Sequence, residues 1–121
     1  MDQYNWATIP REEMNEKTVR QAVHTERMTI AKILLRQGAI VPMHCHENEQ
    51  VTMLESGALR FVFDGREVIV RAGDVLQIPP NVPHMVEALE DSLATDLFSG
   101  RREDWISGDD AYLRNVSEPR P

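Results

Sequence analysis

Cysteine is all but missing from this sequence. Cys45 is the single one among 121 residues, so no intrachain disulfide framework can hold the fold. Long apolar runs are missing as well. No stretch approaches the ~20 residues that span a bilayer. The N-terminus, MDQYNWATIP, has neither the charged region nor the apolar segment of a secretory signal. The expectation is a soluble, cytoplasmic protein. Positive charge is nowhere concentrated: 13 Lys and Arg against 20 Asp and Glu give a net charge of −7, which argues against nucleic acid as a partner. There is no low-complexity stretch, and no internal repeat beyond two histidine-bearing segments.

What is present is an ordinary globular composition, 41% hydrophobic and 27% charged, at a length that makes residues 1–121 one domain with one core. Turn signals recur at short intervals. Gly38, Pro42, Glu47-Asn48, Ser56-Gly57, Asp64-Gly65, Ala72-Gly73 and Pro79-Pro80-Asn81 punctuate the chain. Many short segments without a long helical period predict an all-β sandwich or barrel. Its strands fall near 27–36, 49–55, 58–63, 66–71, 75–78, 84–89 and 92–98.

The segment 27–36 divides into two faces, with Thr29, Ala31, Ile33 and Leu35 on one of them. It also contains good helix formers, and the Gly38 break decides for strand. Asp64-Gly65 predicts a two-residue type I′ hairpin, with positive φ at both positions. Upstream of the barrel, 1–26 reads as an arm: Trp6 and Ile9 are isolated anchors, 11–16 is a solvated loop or turn, and 17–24 is an edge strand. Beyond 99, Arg101 to Trp105 allows one helical turn, with Trp105 as an anchor. Ser107 to Pro121 reads as a polar tail, loose or packed on a partner subunit.

The chemistry gathers in Gly38 to Gly57. His44 and His46 are one residue apart, a spacing that puts both imidazoles on one face of an extended chain. His84 opens a later strand. Two imidazoles on an inward face need partners, and a divalent transition ion (Fe, Ni, Mn, Cu, Zn or Co) satisfies them directly. Gln50 is the candidate fourth ligand. The neighbouring Glu49 could take that place, although strand alternation keeps the two from both facing inward. With Gln50 the donor set is neutral and the ion keeps its full charge for Lewis-acid work.

Asp96 and Phe98 share a strand face. If that face is inward, Asp96 is a buried carboxylate fit for general acid or base work; otherwise it faces solvent. Arg102 could clamp a substrate carboxylate or make a surface ion pair with Glu103 or Asp104. Met53, Phe61 and Met85 would shape the pocket. Cys45 should point away from the two histidines, into core or interface, and His24 reads as a surface residue.

These residues also carry a family resemblance. Gly38-x5-His44-x-His46-x3-Gln50-x6-Gly57 resembles the first cupin motif, with glutamine where many members have glutamate. Gly73-x5-Pro79-x-Asn81-x2-His84 resembles the second, with Asn81 for the usual glycine and Ala88 for the usual final asparagine. The resemblance implies a double-stranded β-helix, or jelly-roll, with a metal inside the barrel, commonly as a homodimer. HCHENEQ followed by DLFSGRREDW is similar to the small pectin-degradation cupins that convert an unsaturated uronate monosaccharide to its linear keto form. Gly100 stands where those relatives often have proline.

Carried over residue by residue, that likeness implies His44, His46, Gln50 and His84 as metal ligands and Asp96 as acid/base. Phe98 and Arg102 would bind substrate, with Arg102 on its carboxylate. The expected function is therefore a metal-dependent enzyme acting on a sugar acid. An Fe or Cu dioxygenase and a non-enzymatic sugar-binding cupin are the alternatives.

Overall fold

The structure is a computed structural model and describes residues 1–114. The described chain forms β1 (Glu12–Asn15), β2 (Thr18–His24), β3 (Met28–Leu35), β4 (Ile40–His44), β5 (Gln50–Ser56), β6 (Ala58–Phe63), β7 (Arg66–Arg71), β8 (Val75–Ile78), β9 (His84–Ala88) and β10 (Ser92–Ser99), then α1 (Glu103–Ser107) and α2 (Ala111–Arg114). Two antiparallel sheets contain the strands, one in the order β1-β2-β3-β10-β5-β8 and the other β4-β9-β6-β7. This is the jelly-roll that the turn spacing and the motifs lead one to expect.

Each sheet is apolar on its inner face because alternate residues point the same way. Ala31 and Leu35 of β3, Leu54 of β5 and Ala94 of β10 meet Leu59 and Phe61 of β6 and Val86 of β9 in one core. Thr29, at 0% exposure, lies on the inward face of β3 that the sequence marks out.

Several expectations need correcting. Residues 11–16 are not a solvated loop. They contain β1, whose Met14 is buried in the core. As β1 takes the edge, β2 lies between it and β3 and is not itself an edge strand. Ile40–His44 forms a strand that the expected set lacks, because Pro42 interrupts its pattern. Asp64-Gly65 does join β6 to β7 in a two-residue turn, pairing Phe63 with Arg66. Positive φ occurs there at Gly65 alone, at 72°, so the turn is not type I′. The region after Ser107 is partly folded: α2 packs Leu113 into the core beside a buried Asp110. Residues 115–121 of the expected tail lie outside the described residues.

Asn81 takes φ 63°, the left-handed conformation that glycine adopts freely and that asparagine tolerates best among the other residues. The substitution in the second motif therefore keeps the backbone of the turn that leads into His84.

Candidate metal centre

His44 ends β4 and His84 begins β9, and the two are direct partners across the antiparallel ladder. The register shifts between Val41 and His44, a bulge of the kind that re-aims a side chain. The result is a ring separation of 4.3 Å. His46 lies in the link to β5, and Gln50 is the first residue of β5. Strand alternation then turns Gln50, Thr52 and Leu54 inward, all buried. Glu49 is exposed and accepts a hydrogen bond from Gln77 Nε2 at 2.8 Å. Of the two neighbours, Gln50 faces the histidines.

The donor atoms are arranged for a cation. Each imidazole gives its Nδ1 hydrogen to a main-chain carbonyl: His44 to Pro42 at 2.7 Å, His46 to Asn48 at 2.9 Å and His84 to Val82 at 2.8 Å. A carbonyl only accepts, so each neutral ring presents an Nε2 lone pair. The three rings bring ligand atoms within 4.8 Å of one another. His46 Nε2 also lies 3.1 Å from Gln50 Oε1. The Gln50 amide is oriented by its own donation to Thr52 Oγ1 at 2.9 Å. Two acceptors thus face each other, an arrangement that a shared divalent ion turns from repulsive to attractive. Protonating the rings instead is disfavoured. Burial, followed by the neighbouring His84, pushes His44 down to about 3. Burial also lowers His46 and His84. The residues fit a divalent metal of the kind that takes imidazole and amide ligands.

A relay ties this cluster to Asp96. Thr52 Oγ1 lies 2.7 Å from Asp96 Oδ1. Asp96 is half-buried on β10 and lines the barrel cavity with Phe98. Burial raises its pKa to about 6, against the lowering effects of the Thr52 hydrogen bond and of Arg102. A carboxyl near 6 is matched to moving protons close to neutral pH.

Arg102 is 2% exposed, not a surface group. Its Nε and Nη2 reach the Asp104 carboxylate at 2.9 and 2.7 Å, and Nη2 reaches Tyr112 Oη at 2.6 Å. The guanidinium lies over Phe98 at 4.7 Å and over Trp105 at 4.3 Å. Burial alone would disfavour its charge; the contacts with Asp104 and Tyr112 outweigh that and raise its pKa above the usual arginine value.

The remaining candidates divide. Phe61 is buried and lines the cavity with His44 and His84. Met53 does not line it. As an odd-numbered neighbour of Thr52 on β5 it points to the opposite face, and alternation places Met85 likewise opposite His84. Cys45 is exposed and so is not core packing. His24 is half-buried, with Nδ1 2.8 Å from Thr29 Oγ1.

Three residues were not singled out by sequence. Asn48 is buried, accepts from His46, and donates through Nδ2 to the carbonyls of Ser99, Gly100 and Arg101. It thereby fixes the loop that carries Arg102 against the histidine cluster. Thr52 is the relay. Tyr112 stacks on His44 at 4.8 Å and borders both the inner cavity and the groove at its mouth. Thr52 alone had a signal, its place two residues after Gln50 on one strand face.

A family profile described as a cupin domain matches residues 32–99. A direct comparison with curated protein sequences finds no match. Solved structures do match. KdgF from Halomonas sp. is 27% identical with a TM-score of 0.79, covering 86% of this chain and 99% of that one. An RmlC-like cupin from Shewanella frigidimarina is 26% identical with a TM-score of 0.78, covering 84% and 93%. Oxalate decarboxylase of Bacillus subtilis shares the fold, at 20% identity and a TM-score of 0.72 over 82% of this chain and 29% of that one.

Proposed function

This chain belongs to the cupin family, and from that premise we propose that it is a metal-dependent enzyme that opens the ring of an unsaturated uronate to give the linear keto sugar acid. One observation carries the reading. A carboxyl with its pKa near 6 is hydrogen-bonded, through Thr52, to the amide that completes a neutral three-histidine donor set. The likeness to KdgF at 27% identity and the resemblance of HCHENEQ and DLFSGRREDW to the pectin-degradation cupins support the choice of substrate.

His44, His46, His84 and Gln50 would hold the ion. When bound, a divalent ion among neutral ligands polarises a substrate oxygen as a Lewis acid. The rest falls to the protein. In the unsaturated uronate the ring oxygen joins the hemiacetal carbon to the vinylic carbon. Asp96, as carboxylate, takes the hemiacetal hydroxyl proton, and the bond from that carbon to the ring oxygen breaks to leave an aldehyde and an enolate. Asp96, now protonated, returns the proton to the neighbouring vinylic carbon, and the enolate becomes a ketone. The reaction is an isomerisation and needs no oxidant. General acid–base catalysis of this kind is worth about 10² to 10⁴ in rate.

Arg102 contributes positive charge to the cavity wall. Its Nε and Nη2 are given to Asp104 and Tyr112, so it attracts an anionic substrate through space and not as an open fork. Phe98 and Phe61 supply apolar wall. Exposed Ile40 and Met43 on the edge strand β4 support a homodimer.

The test is loss of the enol-ether absorbance of unsaturated uronate monosaccharide. Metal-loaded protein should accelerate the loss above the spontaneous rate, and a chelator should abolish the acceleration. No acceleration by protein with metal bound at the histidines would refute the activity.

A further inference from the structure

The cavity lined by His44, His84 and Gln50 is also lined by Thr18 and Arg20 of β2, which the sequence did not bring forward. They are two residues apart on one strand face and only 2% and 3% exposed. Arg20 anchors the C-terminal segment and the edge strand: Nη2 reaches Asp110 at 2.9 Å and Nε reaches Glu12 at 3.3 Å. That work uses two of its three nitrogens. Nη1 is buried without a partner among the described residues, and so is the neighbouring Thr18 Oγ1. Buried polar atoms are nearly always paired, and one left alone carries the full cost of its desolvation. Here the two belong to residues of one strand face that both line one cavity of about 60 Å³, several times the ~10–15 Å³ that a single buried water needs.

We propose that Arg20 Nη1 and Thr18 Oγ1 form the seat for the substrate's carboxylate, and that this seat orients the sugar toward the metal ligands and Asp96. The proposal rests on reading the cavity as the substrate site. A guanidinium N–H and a hydroxyl are donors that one carboxylate satisfies together, with a charge-assisted bond from the arginine. Both arginines have Nε and Nη2 held by carboxylates; what sets Arg20 apart is that its Nη1 is buried with no partner among the described residues, as is Thr18 Oγ1. Trp105 holds both guanidiniums in place, Arg20 at 4.4 Å and Arg102 at 4.3 Å from its ring centre. A seat on a strand, braced by an aromatic ring and a buried aspartate, is rigid enough to orient a ligand.

Equilibrium titration of the zinc-loaded full chain with D-galacturonate, a stable uronate, and with D-galactose, which lacks the carboxylate, tests this. Wild type should prefer galacturonate by about tenfold or more, the scale of one charge-assisted hydrogen bond. Arg20→Lys should remove most of that preference. Because Arg20 also pairs with buried Asp110, Thr18→Val serves as the variant that keeps the fold. It replaces an unpaired hydroxyl by a methyl of similar shape. Without ligand it should melt no lower than wild type, while its galacturonate affinity falls several-fold and its galactose affinity stays put.

Wild-type preference in both variants would mean that a buried water alone serves the two atoms, and would overturn the seat. Equal weakening of both sugars would overturn it too, by showing a contact to a hydroxyl common to them. Failure here is separable from failure of the ring-opening reading. Turnover with unchanged KM in both variants removes the seat and leaves the activity. Galacturonate held through Arg20 by a protein that converts no unsaturated uronate removes the activity and leaves the seat.

Discussion

The Thr52 hydroxyl lies 2.7 Å from Asp96 Oδ1. A hydroxyl has one hydrogen; given to the carboxylate, it leaves Thr52 to accept from Gln50 Nε2 at 2.9 Å, which in turn directs Gln50 Oε1 at the histidines. The state of the carboxyl and the orientation of a candidate metal ligand are therefore coupled through one side chain. Thr52→Val should break both ends of this relay. Metal affinity should fall about 10- to 100-fold, as for other losses behind a metal ligand. Asp96 should titrate higher, since the hydrogen bond that lowers its pKa is gone. A metal titration and a pH–rate profile read the two effects separately.

Asp96 itself makes a prediction about pH. Its folded pKa of about 6 exceeds the ordinary value of 3.8. Between those values the native state binds more protons than the unfolded state, so this group makes stability fall as pH rises through the window, and the loss persists above it. Asp96→Asn removes the buried charge. The variant should melt above wild type at about pH 8, with the gap closing toward pH 4, and should hold the same metal. Its turnover should fall about 10²- to 10⁴-fold. In wild type kcat/KM should rise through pH about 6, and that limb should vanish in the variant.

The histidines give the opposite sign. His44 falls from 6.5 to about 3, and His46 and His84 are lowered with it. Their neutral forms stabilise the fold above the ordinary histidine pKa, and that contribution is lost as pH drops below it toward the lowered values. Metal-free protein should thus lose stability on acidification below about 6.5. Free metal at 100 times its Kd should add about 2.7 kcal/mol, read as a higher Tm. Because the native rings resist protonation, the metal should stay bound at about pH 5, where free imidazole is charged. His84→Ala should abolish the metal-dependent rise in Tm.

Gly57 offers a test of the fold apart from the chemistry. Its φ is +93°, and a Cβ there would collide with Ser92 Oγ and the Asp91 carbonyl. Ser92 Oγ is itself tied to the Ala58 amide at 3.1 Å. Gly57→Ala should cost more than about 1–3 kcal/mol, seen as a lower denaturation midpoint, with metal stoichiometry and turnover per folded molecule unchanged.

Much of this protein could be read directly from its residues. Turn-forming residues at short intervals set strand lengths, and the two-residue period of β3, β5 and β10 decided which side chains face inward, because alternation is a local property of an extended backbone. His44 and His46 fell on one face for the same reason; alternation kept Gln50 and Glu49 from both facing inward, and the structure turned Gln50 toward the histidines. Met53 was misplaced where that alternation was not applied. β1 and β4 escaped notice because Glu12–Asn15 and Ile40–His44 are too short and too mixed to show a period, and pairing with β2 and β9 makes them strands.

Distance along the chain limited the rest. The pKa of Asp96 depends on burial and on Thr52, 44 positions away. The Arg102 side chain meets Tyr112 through a short helix that carries no strong local signal. Arg20 meets Asp110 across 90 positions. Local spacing determined which residues point into the barrel. Only the tertiary structure decided what each of them meets there, since contacts between distant segments arise when the two sheets close over their core.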